Sequence, residues 1–196
     1  MTPKAWINFY CVILMVILSI GIYRRRTGRK SNKVFFVFVL TQALTLFFDG
    51  VYWCIVGKSS FLEMSVVFVL IYFFCLLMIT LYHYYLRAFW KEHYGIRESN
   101  PFKYFPIIVN MVFNVLWISS FFTHLFFVIN EDGSYYYTPY HIFSQIGIML
   151  ILLPDLLVLI KERKKMGFKN CLLWIFLPIW SAVVRMFDLK YDLPFV

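Results

Sequence analysis

Thr45-Leu46-Phe47-Phe48-Asp49-Gly50-Val51-Tyr52-Trp53 lies inside an apolar run from Val34 to Val56. The run is long enough to cross a bilayer, which takes about 20 residues. A carboxylate in the middle of such a run is costly, by about 3 kcal/mol or more at the bilayer centre. Asp49 is therefore expected to turn inward, onto other helices and away from lipid.

Five further apolar runs surround it. Together the six predict helices at about 6–23, 34–56, 62–89, 105–130, 140–160 and 170–187. The chain is 62% hydrophobic and 22% aromatic, with a mean hydropathy of +0.73, more apolar surface than a soluble core can use. The six runs and their short links fill all 196 residues. The sequence thus predicts an all-α, polytopic membrane helix bundle as a single domain over residues 1–196. Pro106 falls in the first turn of the fourth run, where proline is tolerated, and Pro178 marks a kink in the sixth.

The charges orient this bundle. Fifteen of the 19 basic residues fall in three alternate links. The first link holds Arg24, Arg25, Arg26, Arg29, Lys30 and Lys33. The second holds Arg87, Lys91, Arg97 and Lys103, and the third Lys161, Arg163, Lys164, Lys165 and Lys169. Basic loops stay cytoplasmic, so the N-terminus is expected outside. The first run carries its positive charges after its apolar stretch, the reverse of a signal peptide. With six helices the tail Leu189–Val196 is also outside. Its Pro194-Phe195-Val196 end reads as the first turn of another apolar segment, so a seventh helix is expected beyond Val196. The net charge of +9 reflects these loops and does not indicate nucleic acid.

Polar residues in the runs recur at helical spacing. Gln42, Thr45, Asp49 and Trp53 share a face of the second, with Tyr52 at its margin. Asn110, Asn114, Trp117, Ser120 and His124 do so in the fourth. His141, Ser144, Gln145 and Asp155 follow in the fifth, and Trp174, Ser181, Arg185 and Asp188 in the sixth. In the predicted topology Asp49, Tyr52, Trp53, Ser120, His124, His141, Gln145, Ser181 and Arg185 lie in the outer half. Apolar walls with a few convergent polar groups make a ligand pocket, and these nine residues are the candidate site, with Arg185 the expected partner of Asp49. The alternative is that the same residues form interhelical hydrogen bonds that hold the bundle together.

No phosphate loop, nucleophile elbow or metal-spaced Cys/His cluster is present, so no catalytic residue, metal or cofactor is assigned. The four cysteines, Cys11, Cys54, Cys75 and Cys171, are scattered through apolar runs and read as small hydrophobic residues.

Three stretches carry a resemblance. Trp6-Ile-Asn-Phe-Tyr-Cys-Val-Ile-Leu14 with its basic first link, Leu46-Phe-Phe-Asp-Gly-Val-Tyr-Trp53, and Leu177-Pro-Ile-Trp-Ser-Ala-Val-Val-Arg-Met-Phe-Asp-Leu-Lys-Tyr-Asp-Leu-Pro-Phe195 are similar to one group. They resemble the N-terminal seven-helix membrane sensor regions of Gram-positive bacterial signalling proteins. In that family such regions precede a cytoplasmic GGDEF domain, a diguanylate cyclase that makes cyclic di-GMP. The resemblance implies a sensor or receptor in the cell membrane, binding a small extracellular ligand and acting as a homodimer. The GGDEF motif is not in these 196 residues, so the chain itself is not the cyclase. The competing expectation is a six-helix small-molecule transporter or the substrate-binding subunit of a vitamin importer.

Overall fold

The computed structural model describes residues 2–24, 28–58, 60–96, 103–130 and 135–167, together with 171 and 174. Among these are helices α1 (Pro3–Arg24), α2 (Lys30–Ile55), α3 (Phe61–Tyr94), α4 (Phe105–Thr123) and α5 (Ile142–Met166). All five are long and apolar enough to span a membrane, α5 counted with the short 3-10 turn Pro139–His141 that leads into it. The chain divides into two compact units, residues 1–151 and 152–196.

In the first unit α1 packs on α2, α2 on α3 and α3 on α4. Each helix end has a local cause. Ser60 and Glu63 form a capping box at the start of α3: the Glu63 N–H donates to Ser60 Oγ at 3.4 Å, and the Ser60 N–H to Glu63 Oε2 at 3.1 Å. Gly95 ends α3 in the left-handed conformation at φ 66°, and the Ile96 N–H closes the last turn onto the Trp90 carbonyl. The start of α2 is capped from outside itself. The Ser31 N–H donates to Glu92 Oε1 at 3.1 Å and the Ser31 hydroxyl to Glu92 Oε2, so a carboxylate from α3 sits where the α2 dipole favours an anion.

The core is thin, as in membrane bundles. α1 buries Ala5 and Ser19 and leaves Ile13, Leu14, Ile17 and Ile20 exposed. α3 is the central helix, with Phe68, Cys75, Leu76, Ile79, Leu86 and Trp90 all buried. Its 34 residues rise about 51 Å, well beyond a hydrocarbon core of about 30 Å.

Three sequence expectations are revised. The fourth helix does not reach Asn130. It stops at Thr123, and Phe127–Ile129 (β1) pairs antiparallel with Tyr135–Tyr137 (β2) in the register Phe127↔Tyr137. Phe-Val-Ile and Tyr-Tyr-Tyr are strand-formers, and hydropathy alone does not separate a short buried strand from a continuing helix. The third helix, placed at 62–89 from its apolar run, continues through the polar stretch to Tyr94, where Gly95 ends it, and Glu92 of its last turn bonds Ser31 of α2. The count is five spans among the described residues and not six: of the run expected at 170–187, only Cys171 and Trp174 are described, both helical. All four cysteines are free thiols.

In the second unit the described part of α5 contains Pro154 and carries a Glu162–Lys165 ion pair of 2.7 Å. Gly167 ends it at φ 80°, its N–H donating to the Arg163 carbonyl at 3.1 Å. Asp155, on the polar face expected in the fifth run, is buried.

Candidate functional site

Six of the nine candidate residues have described side chains, and they fall into three groups. Asp49 belongs to the α1–α2 seam. Its Oδ2 accepts a hydrogen bond of 2.5 Å from Asn8 Nδ2 on α1. Gly50, the next residue, makes this approach feasible: a Cβ there would lie 3.0 Å from the Phe9 ring and 3.3 Å from Asn8 Cβ. Nearby, Thr2 Oγ1 donates to the Trp53 carbonyl at 3.2 Å, and Lys4 Nζ stands 4.0 Å over the Trp53 ring. Trp53 thus holds the first turn of α1 against the last turn of α2. The expected partner Arg185 and Ser181 lie outside the described residues. Gln145 lies in α5, and its side chain is likewise outside what is described.

Ser120 and His124 form the second group, and both build the turn out of α4. Ser120 is fully buried, and its hydroxyl accepts from the Phe126 N–H at 2.7 Å. His124 occupies the left-handed region at φ 52°, exposed, with its N–H on the Ser120 carbonyl at 2.9 Å. A non-glycine residue in this region is uncommon. Here it is stabilised because the next residues must reverse into β1. Thr138 completes the joint. Its N–H donates to the Phe126 carbonyl at 3.1 Å and its hydroxyl to the Leu125 carbonyl, tying the end of the hairpin to the end of α4.

The third group is aromatic and converges from α2, α3, α4 and the hairpin. Tyr72 stacks on Trp117, with ring centroids 3.3 Å apart and planes at 16°. Trp117 stacks in turn on Phe127 at 5.4 Å. His141 is buried among three of these rings: Tyr137 at 4.1 Å, Trp117 at 5.8 Å and Tyr72 at 6.2 Å, the last two edge-to-face. The Tyr72 hydroxyl donates to the Tyr137 hydroxyl at 3.2 Å. Tyr52 joins from α2 through Tyr135 and Phe68, at 5.6 and 5.5 Å. Burial pushes the Tyr137 phenol well above its usual range, and the neighbouring Tyr72 and Tyr135 phenols add to this.

Of the residues expected together, Tyr52 and His141 both reach the aromatic cluster; sequence spacing did not single out Asn8, Phe68, Tyr72, Phe127, Tyr135 and Tyr137. Asn8 had a signal, as the one amide in the first apolar run. The tyrosines had none, because in an apolar run an aromatic residue is the default. The polar stripe of α4 is partly structural: Asn110 Nδ2 donates to Thr80 Oγ1 at 2.9 Å and Asn114 Nδ2 to Asn110 Oδ1 at 2.8 Å. Among the described residues no group of three His, Cys, Asp or Glu is placed to hold a metal ion.

The aromatic cluster gathers π faces, four phenolic hydroxyls and one imidazole at the hairpin end of the bundle. These rings pack edge-to-face and stacked against one another, with Phe68, Trp117, Phe127 and His141 buried. In comparisons with known proteins the chain matches no family model, no curated protein and no solved structure. Composition, together with five helices of spanning length, supports a multi-pass membrane protein.

Proposed function

We propose that this chain is a membrane sensor domain that takes up a small aromatic or cationic molecule at its outer, hairpin end. The observation that carries the reading is the continuity of α3. Phe68 and Tyr72 near its start are in the aromatic cluster, and Glu92 in its last turn caps α2 at the opposite end. One rigid helix thus joins a recognition surface to a contact between two helix ends. A ligand that binds two positions of the hairpin unequally would move that contact. The basic links at the Glu92 end favour the cytoplasm there, which puts the aromatic end outside. The likeness of three stretches to sensor regions preceding GGDEF domains supports an output, cyclic di-GMP synthesis, encoded in a longer parent and acting in a dimer.

The test uses the purified chain in lipid nanodiscs, titrated with a panel of small aromatic and amine compounds. Trp117 fluorescence reports binding, and a fluorophore on Lys33→Cys, in a background free of the native cysteines, reports the Glu92 end. The sensor reading expects a compound that changes Trp117 emission to change the second signal too, with both responses lost in Trp117→Phe. Binding without any response at position 33 contradicts it. Uptake of the bound compound into proteoliposomes would replace it with the transporter reading.

A further inference from the structure

The end of the bundle opposite the aromatic cluster carries a collar of exposed cations. Arg24 closes α1, Arg29 and Lys30 open α2 with Lys33 one turn on, Lys91 lies in the last turn of α3, and Lys103 precedes α4. Two links distant in sequence meet there. The Ser31–Glu92 contact joins the start of α2 to the end of α3, and the Tyr84 hydroxyl donates to the Lys103 carbonyl at 2.8 Å, bringing in the start of α4. Glu92, the acid among the described residues of these segments, already has its carboxylate engaged by Ser31, so it does little to neutralise the ring.

The surface next to the collar identifies its partner. Below it lie exposed apolar side chains, Ile20 on α1, Val37 on α2 and Ile108 on α4. Between the two zones stand exposed Tyr23 and Tyr104, the latter with Lys103 Nζ 5.0 Å over its ring. Apolar belt, tyrosine and cation in that order match acyl chain, headgroup boundary and phosphate. A nucleic acid or an acidic protein would match the cations and not the belt.

We infer that this collar binds anionic phospholipid headgroups and enriches them around the α2–α3 contact. The inference stands apart from the sensor reading, since a transporter would carry the same collar. Each basic side chain near an anionic surface favours binding by about fivefold, so several exposed cations give a measurable preference for an anionic lipid.

The experiment reconstitutes the purified chain in phosphatidylcholine bilayers with spin-labelled phosphatidylglycerol or phosphatidylcholine. The motionally restricted fraction of each label gives the relative association. The wild type should favour phosphatidylglycerol by about fivefold or more, less in high salt. The Lys30→Gln/Lys33→Gln/Lys91→Gln variant should fall to about twofold or less. Lys4→Gln/Lys58→Gln, at the other end, should keep the full preference. Lys33→Gln alone, a single exposed change, guards against misfolding of the triple variant and should lower the preference about twofold. Equal association of both lipids with the wild type overturns the inference, as does a preference that survives the triple variant or is lost in the Lys4/Lys58 control.

Discussion

The α1–α2 seam and the aromatic cluster solve the same problem in opposite ways. In the seam two helices approach closely at Gly50, and one amide–carboxylate bond, Asn8 to Asp49, crosses between them. In the cluster four elements meet through rings, with a hydroxyl pair between Tyr72 and Tyr137. Lipid is as apolar as a leucine, so membrane helices gain little from hydrophobicity alone and rely on close packing and a few polar bonds. The seam uses the polar bond and leaves most of α1 to lipid. The cluster uses aromatic surface and joins segments far apart in the chain. A costly carboxylate first suggested a site at Asp49. Its contact with Asn8 fits a role in holding helices together, and the aromatic cluster proposed as the recognition site begins one turn further on, at Tyr52 and the rings it touches.

Four substitutions would break or sharpen this contrast. Trp117→Ala should have the largest effect, roughly 3–5 kcal/mol, because it removes a ring stacked on Tyr72 and Phe127 and packed against His141. Reversible unfolding in mixed detergent micelles measures it, and a loss below 1 kcal/mol would mean the cluster does not hold the bundle. Gly50→Val should follow at about 1–3 kcal/mol, since its side chain drives into the Phe9 ring. Phe9→Ala in the same chain should recover part of that loss, and a strictly additive pair would show that the two do not meet.

The Asn8→Ala and Asp49→Ala pair tests the polar bond directly. A double-mutant cycle should return a coupling of about 0.5–1.5 kcal/mol, the range of interhelical hydrogen bonds. The smallest effect is at Tyr137→Phe, about 0.5–1 kcal/mol from the lost hydroxyl contact. It has a second signature in pH. The folded Tyr137 phenol titrates well above 10.0 while an unfolded one titrates near it. Above pH 10 the unfolded chain therefore holds fewer protons, and stability falls as pH rises. Tyr137→Phe should flatten that decline, and an unchanged slope would place the phenol in water.

The helices were legible because their apolar runs are long and their links basic. The proline at the start of α4 was read directly, while the capping box at Ser60 and Glu63 emerged only in the structure. The β-hairpin was not legible, because Phe126-Phe127-Val128-Ile129 continues the hydropathy of α4 without a break. Only the pairing with Tyr135–Tyr137 turns it into a strand, and that contact is long-range. The helical periodicity of polar residues correctly brought His141 and Tyr52 inward. It assigned Ser120 and His124 to a ligand site without showing that both also build the turn out of α4, since a hydroxyl that caps a turn and one that binds a ligand have the same spacing. Helical spacing also carries no information on which neighbour a residue will meet, and for that reason Asn8 went unpaired with Asp49.

The account rests on the aromatic end facing outward and the basic end inward. Cysteine accessibility on intact cells decides this, in a chain whose four native cysteines are replaced by alanine. Tyr136→Cys, on the exposed face of β2, should react with a membrane-impermeant maleimide on intact cells. Lys103→Cys should react only after permeabilisation. The reverse pattern, with position 103 labelled outside and position 136 protected, would contradict the account.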